Sequence, residues 1–114
     1  MRERSRGAPR ESSHKKLERL CAQVREVVSL SLGGSEDERL RSLVVESVRA
    51  AGDGARLVVS VVAGADVGLD ELDEIYAALR HAGPWLRRQV AAEIHRKRTP
   101  ELSFLVLPPW QVEP

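Results

Sequence analysis

From Ser13 onward, the apolar residues recur with the period of a helix. Leu17, Leu20, Cys21, Val24, Val27 and Val28 fall at the three- and four-residue spacings that stack on one helical face. Ser12 or Ser13 can cap the start of this helix, and Gly33-Gly34 stops it. Residues 35–40 form a charged connector. The next stretch, 42–49 (SLVVESVR), is short and β-branched, which predicts a strand. Ala51-Gly52-Asp53-Gly54 predicts a turn, because Asp and Gly tolerate the positive φ of tight hairpins. Residues 56–62 (RLVVSVV) predict a second strand, antiparallel to the first.

Beyond a loop at 64–68, the helical period returns in Leu69, Leu72, Ile75, Tyr76 and Leu79. Asp70, Glu71, Asp73 and Glu74 lie near the start of that helix, where acid suits the dipole. Ala82-Gly83-Pro84 predicts a break, with Pro84 in the first turn of a following helix that runs to about Arg98. Leu86, Val90 and Ile94 make its inner stripe, and Thr99-Pro100 ends it. Residues 102–107 (LSFLVL) predict a third strand, stopped by Pro108-Pro109.

The expected order is therefore α-β-β-α-α-β. A helical crossover between the second and third strands favours parallel, right-handed neighbours. The fold class is α+β: a two-layer domain whose three-stranded sheet carries helices on one face. This is the element order of the type II KH fold found in RNA-binding proteins. The organisation expected is a flexible basic arm at 1–12, a KH-like domain at 13–107 and a short C-terminal tail at 108–114.

Composition narrows the class. The chain has 114 residues, 42% hydrophobic and 31% charged, the balance of one soluble domain. It has no apolar run long enough to span a bilayer and no secretory signal pattern. The only cysteine, Cys21, cannot form an internal disulfide and reads as a small core residue. A reducing cytoplasm is the expected location. The net charge of +1 is unevenly spread. Residues 1–19 hold seven Lys/Arg against three Glu, and residues 84–98 hold five against one. Residues 20–83 hold six basic and eleven acidic residues. A polyanion would touch the two basic segments and avoid the middle.

The signals for catalysis are weak. His14, His81 and His95 lie among cations or beside the expected helix break, and no G-x-S-x-G surrounds a serine. The glycine pairs fit no phosphate-loop spacing. The acidic run 70–74 reads as a solvated helix start before it reads as an ion site. No enzyme activity, cofactor or metal is expected. The second basic segment is the candidate binding element. In a helix, Arg88, Ala91, Ala92, His95 and Arg98 fall on or near one face, roughly opposite the apolar stripe. Small alanines between cations admit a phosphate backbone, and Arg holds phosphate through paired N–H donors. The alternative is a solvated charged face with no partner. The candidate RNA-binding residues are Arg10, Lys15, Lys16, Arg19, Arg87, Arg88, His95, Arg96, Lys97 and Arg98. Tyr76, Trp85 and Phe104 sit at apolar positions. Trp85 opens the basic helix and reads as a packing residue before it reads as a base-stacking one.

Several short motifs occur together in order. Ala82-Gly83-Pro84-Trp85-Leu86-Arg87, then Thr99-Pro100-Glu101-Leu102-Ser103-Phe104, resembles the C-terminal signature of the ribosome-binding factor A family. Asp37-Glu38-Arg39-Leu40 resembles the Asp-Pro-Arg-Leu connector that follows the family's first helix. The resemblance runs from about Ser13 to Leu107. It implies a KH-like fold in which a helix kink replaces the Gly-x-x-Gly loop, here at Ala82, Gly83 and Pro84. Pro84 stands where the family's kink glycine is usual, with Gly83 beside it, and Arg87 corresponds to the family's arginine. The resemblance also implies a monomer that binds 16S ribosomal RNA on the free, immature 30S subunit and assists its late processing. A generic KH-like RNA binder acting away from the ribosome and a protein-interaction domain are the alternatives.

Overall fold

A computed structural model of the chain describes residues 2–52 and 54–111, with side chains for 15–52 and 54–110. Asp53 and residues 112–114 lie outside the described residues. The order is α1 (Arg2–Gly33), α2 (Glu38–Arg41), β1 (Val44–Ala51), β2 (Arg56–Val62), α3 (Leu69–Glu93), β3 (Glu101–Leu107) and a 3-10 turn at Pro109–Gln111. Helical conformation in α1 thus begins before the Ser12 or Ser13 cap expected from the sequence.

The sheet has the order β1-β2-β3, with β1 antiparallel and β3 parallel to the central β2. The hairpin between β1 and β2 needs its glycines. Gly52 and Gly54 adopt φ of 68° and 93°, a region costly for any side chain. Gly54 is also buried against Leu17 of α1, with no room for a Cβ. A register shift between Val45 and Ser47 marks a bulge in β1.

Alternation in β2 decides which face is covered. Leu57, Val59 and Val61 are fully buried, while Val58, Ser60 and Val62 between them are half-buried. Onto the buried face pack Leu20, Val24, Val28 and Leu32 of α1, and Ile75, Leu79, Leu86 and Val90 of α3. The layers are therefore helices on one side of a three-stranded sheet. Cys21 is half-buried at the core margin, and burial raises its thiol pKa above the ordinary value. At the sheet edge, Val106 N–H donates to the Tyr76 hydroxyl at 2.9 Å, so α3 satisfies a donor that a neighbouring strand would otherwise take.

Other boundaries also differ from the sequence reading: β1 runs Val44–Ala51 rather than 42–49, and α3 departs from it at two points. The break expected at Ala82-Gly83-Pro84 is absent: α3 continues through Pro84. Proline removes one backbone bond and crowds the preceding turn. Here Leu79 before it and Leu86 after it are both fully buried on the same sheet face, and that burial holds the two halves together. The helix also ends at Glu93 rather than near Arg98. Ile94 turns to an extended conformation (φ −118°, ψ 113°) and buries its side chain. β3 has to start beside β2, where Glu101 N–H donates to Ala55 O at 2.9 Å. Five further helical residues would carry the chain about 8 Å past that point.

The charged connector contains an unexpected short helix. Asp37 caps α2 by accepting from Arg39 N–H at 2.9 Å, and its carboxylate also takes two guanidinium bonds from Arg39 at 3.2 and 3.1 Å. Those bonds hold the Asp37 carboxyl below the usual aspartate range. Leu40 is buried beneath.

Candidate nucleic-acid interface

The hairpin turn, the second half of α3 and the loop before β3 surround one cleft of about 730 Å³. Arg87 and Arg88 enter it from α3, and Arg96 and Arg98 from the loop. Ala91 lies between the helix cations, and Gly54, Ala55, Pro84 and Pro100 complete the wall. All four arginines are exposed. Their positive charge is concentrated in a concavity, which focuses field more than a flat patch does. Glu101 is the one carboxylate in the lining and breaks the cationic surface at the start of β3.

A second depression, of about 610 Å³, lies along the seam between α1 and the end of α3. Lys16 and Arg19 border it from α1, with His95 and Arg96 opposite. Arg96 belongs to both depressions. The two basic segments, far apart in sequence, therefore meet in space. Glu93 also lines this seam and dilutes its charge.

Not every expected residue is part of this surface. Lys15 and Lys97 are exposed but line neither depression, and the Arg10 side chain lies outside the described residues. His95 and Arg98 are not on the helical face expected with Arg88, because α3 has ended before them. The folded loop, not the helix, returns Arg98 to the cleft. Ala92 is exposed but lies outside the cleft lining, unlike Ala91. Arg87 has a structural bond as well: its Nη2 donates to Thr99 O at 2.9 Å, tying the helix to the loop that carries Arg96 and Arg98.

Sequence reasoning did not find Gly54, Ala55 or Glu101 as parts of the site. The hairpin was legible as a turn, but no local signal says that its tip faces a helix from the other end of the chain. Trp85 is half-buried against the core and is not in the lining of the arginine cleft, although it borders neighbouring grooves, one of them shared with Pro84 and Arg88. Tyr76 and Phe104 are also core-packed, so the cleft has no aromatic platform among the described residues.

No protein-family model and no curated protein sequence matches the chain. Solved structures do. The crystal structure of ribosome-binding factor A from Thermus thermophilus is 31% identical, with a TM-score of 0.68, over 84% of this chain and 98% of that one. The chain belongs to the ribosome-binding factor A family. A homology model of the Thermus thermophilus factor, fitted into a cryo-EM map of its complex with the 30S subunit, is 32% identical, with a TM-score of 0.60. It covers 75% of this chain and 88% of that one. A solution structure of a Thermotoga maritima protein described as a putative ribosome binding factor A shares the fold, with a TM-score of 0.64 at 17% identity, over 77% and 83% of the two chains. The motifs that carried the resemblance have structural roles here. Asp37 to Leu40 make the cap and buried anchor of α2, and Glu101 to Phe104 open β3.

Proposed function

We propose that the chain is a ribosome assembly factor that binds the immature 30S subunit through 16S ribosomal RNA and assists its late maturation and processing. It acts in the cytoplasm, as a monomer, by binding rather than turnover. Family membership supports the ribosomal partner. The observation that carries the RNA contact is the convergence of Lys16 and Arg19 with Arg87, Arg88, Arg96 and Arg98 through the shared Arg96.

Such a surface binds RNA mainly through phosphates. Each phosphate neutralised releases condensed counterions, so affinity falls steeply with salt. Phosphate contacts set position and orientation rather than sequence. The absence of an aromatic platform in the cleft fits a binder that reads ribosomal shape rather than splayed bases. In this scheme, Ala82, Gly83 and Pro84 stand in place of a Gly-x-x-Gly loop. Pro84 forms part of the cleft wall, so the backbone there lies next to the cations. Lys15, Lys97 and Arg10 add long-range attraction.

The test is sedimentation of a lysate containing the tagged full chain through sucrose gradients at low and high salt. Cosedimentation with free 30S particles but not 70S ribosomes, lost at high salt, is the expected result. A protein that stays at the top of the gradient at both salts overturns the proposal.

A further inference from the structure

The side of the helical layer next to the arginine cleft carries a second groove with a different chemistry. It lies between α1 and α3 and has a volume of about 510 Å³. On α1, Gln23, Val27 and Leu30 follow the three- and four-residue spacing of one stripe, adjacent to the buried stripe that faces the sheet, and Gly34 lies just past the helix end. On α3, Trp85, Gln89 and Glu93 answer at four-residue intervals. Leu30 is 72% exposed, among the most exposed large apolar residues described. Trp85 lies half-buried beside it, with its ring shared between core and groove.

The only charged residues lining this groove are Glu26 and Glu93. Of the cations next to groove residues in sequence, Arg25 lines a depression on the other side of α1, and Arg88 lines a neighbouring depression that shares Gly34 and Trp85 with this groove. Toward the N-terminal end of the seam, the lining changes to Lys16, Arg19, His95 and Arg96. Glu93 lines both ends of the seam, so the balance of charge favours phosphate beside Lys16, Arg19 and Arg96 and disfavours it beside Glu26. An aromatic ring with an exposed aliphatic neighbour and an acidic edge is the chemistry of an anchor pocket for an amphipathic cationic segment.

We propose that this groove receives a Lys- or Arg-bearing segment of a neighbouring protein, with an apolar side chain seated between Leu30 and Trp85 and a cation held by Glu26. The groove shares no lining residue with the arginine cleft, and it meets the Lys16 and Arg19 depression at Gln23, Glu93 and Ile94. It gives the molecule two faces of opposite preference, one for phosphate and one for cationic protein.

The experiment uses the full chain carrying Trp110→Phe, which leaves Trp85 as the only tryptophan. Trp110 is 58% exposed, so its replacement spares the core. Trp85 emission is titrated with a synthetic amphipathic Lys/Leu peptide, and separately with the matched Glu/Leu peptide and with a single-stranded RNA oligonucleotide. The Lys/Leu peptide is expected to give a saturable blue shift that the Glu/Leu peptide does not. Glu26→Lys with Glu93→Lys should weaken the peptide about tenfold or more while RNA affinity holds or rises. Leu30→Ser should weaken the peptide with an unchanged circular dichroism spectrum. Four results overturn the proposal: no saturable shift, equal response to both peptides, indifference to the charge reversals, or competition by RNA for Trp85. Self-association abolished by Leu30→Ser would assign the groove to a second copy and overturn it as well.

Discussion

The two halves of α3 make an instructive pair. Before Pro84, the helix buries Ile75, Ala78 and Leu79 and exposes Asp70, Glu71, Asp73 and Glu74. After Pro84, it buries Leu86 and Val90 and exposes Arg87 and Arg88. The inner stripe is continuous and apolar throughout, while the outer face changes sign. The core therefore treats the two halves as one element, and surface charge distinguishes them. Stability and the proposed recognition are written on the same helix at different phases of its turn.

Mutations on each phase should separate the two properties. The largest effect is expected from Leu86→Ala, which empties a fully buried site. It should cost about 2 to 5 kcal/mol in urea denaturation, with Leu79→Ala in the first half costing a similar amount. Unequal losses would mean that the halves do not share one core. Pro84→Ala tests the junction. It restores a backbone donor within α3 and should stabilise the chain by about 1 to 3 kcal/mol, less whatever the more flexible unfolded chain takes back. Reduced binding to 30S particles in this stabilised variant would show that the proline shapes the cleft.

Arg87 and Arg88 are neighbours on the recognition phase, yet they should behave differently. Arg88→Glu should lower RNA affinity about tenfold or more in a filter-binding assay and leave stability within about 0.5 kcal/mol. Arg87→Glu should lower affinity and also cost about 1 kcal/mol, because it removes the bond to Thr99 O that orders the Arg96 and Arg98 loop. Equal stability of the two variants would reduce Arg87 to a surface cation.

The smallest effect belongs to the connector. The Asp37 carboxyl has a lowered pKa in the folded chain, so it contributes stability above the ordinary aspartate range. That contribution fades as pH falls from about 4 through its lower folded value. The group is partly exposed, so solvent screens the ion pair. Asp37→Ala should cost about 1 kcal/mol at neutral pH, mostly from the lost cap, and flatten the acid limb of a stability-versus-pH curve.

Much of the fold was legible because its signals are local. The β2 boundaries at Arg56 and Val62 follow from the β-branched run and the glycine turn before it. Parallel pairing of β2 with β3 follows from the crossover that a helix imposes. The misread places are those where a local signal competes with burial. Pro84 is a strong helix breaker in isolation, but Leu79 and Leu86 are both needed in the core. The cations at 96–98 suit a helix C-terminus, but β3 has to begin beside Arg56. The cap available at Asp37 was hidden in a stretch that reads only as charged.

By itself the sequence determined the first helix, the three strands and their order, the apolar stripes that face the core and the two basic segments at residues 1–19 and 84–98, but not that the last two helices are one or that α2 forms. Each of these depends on neighbours a few positions away, through helical period, strand alternation and backbone preference. Only the tertiary structure decided that Lys16 and Arg19 approach Arg96, that the Gly54 turn closes the arginine cleft and that Trp85 faces a separate acidic-edged groove. Charge interactions depend on distance through space, and that distance is set by how α1 and α3 pack across the sheet.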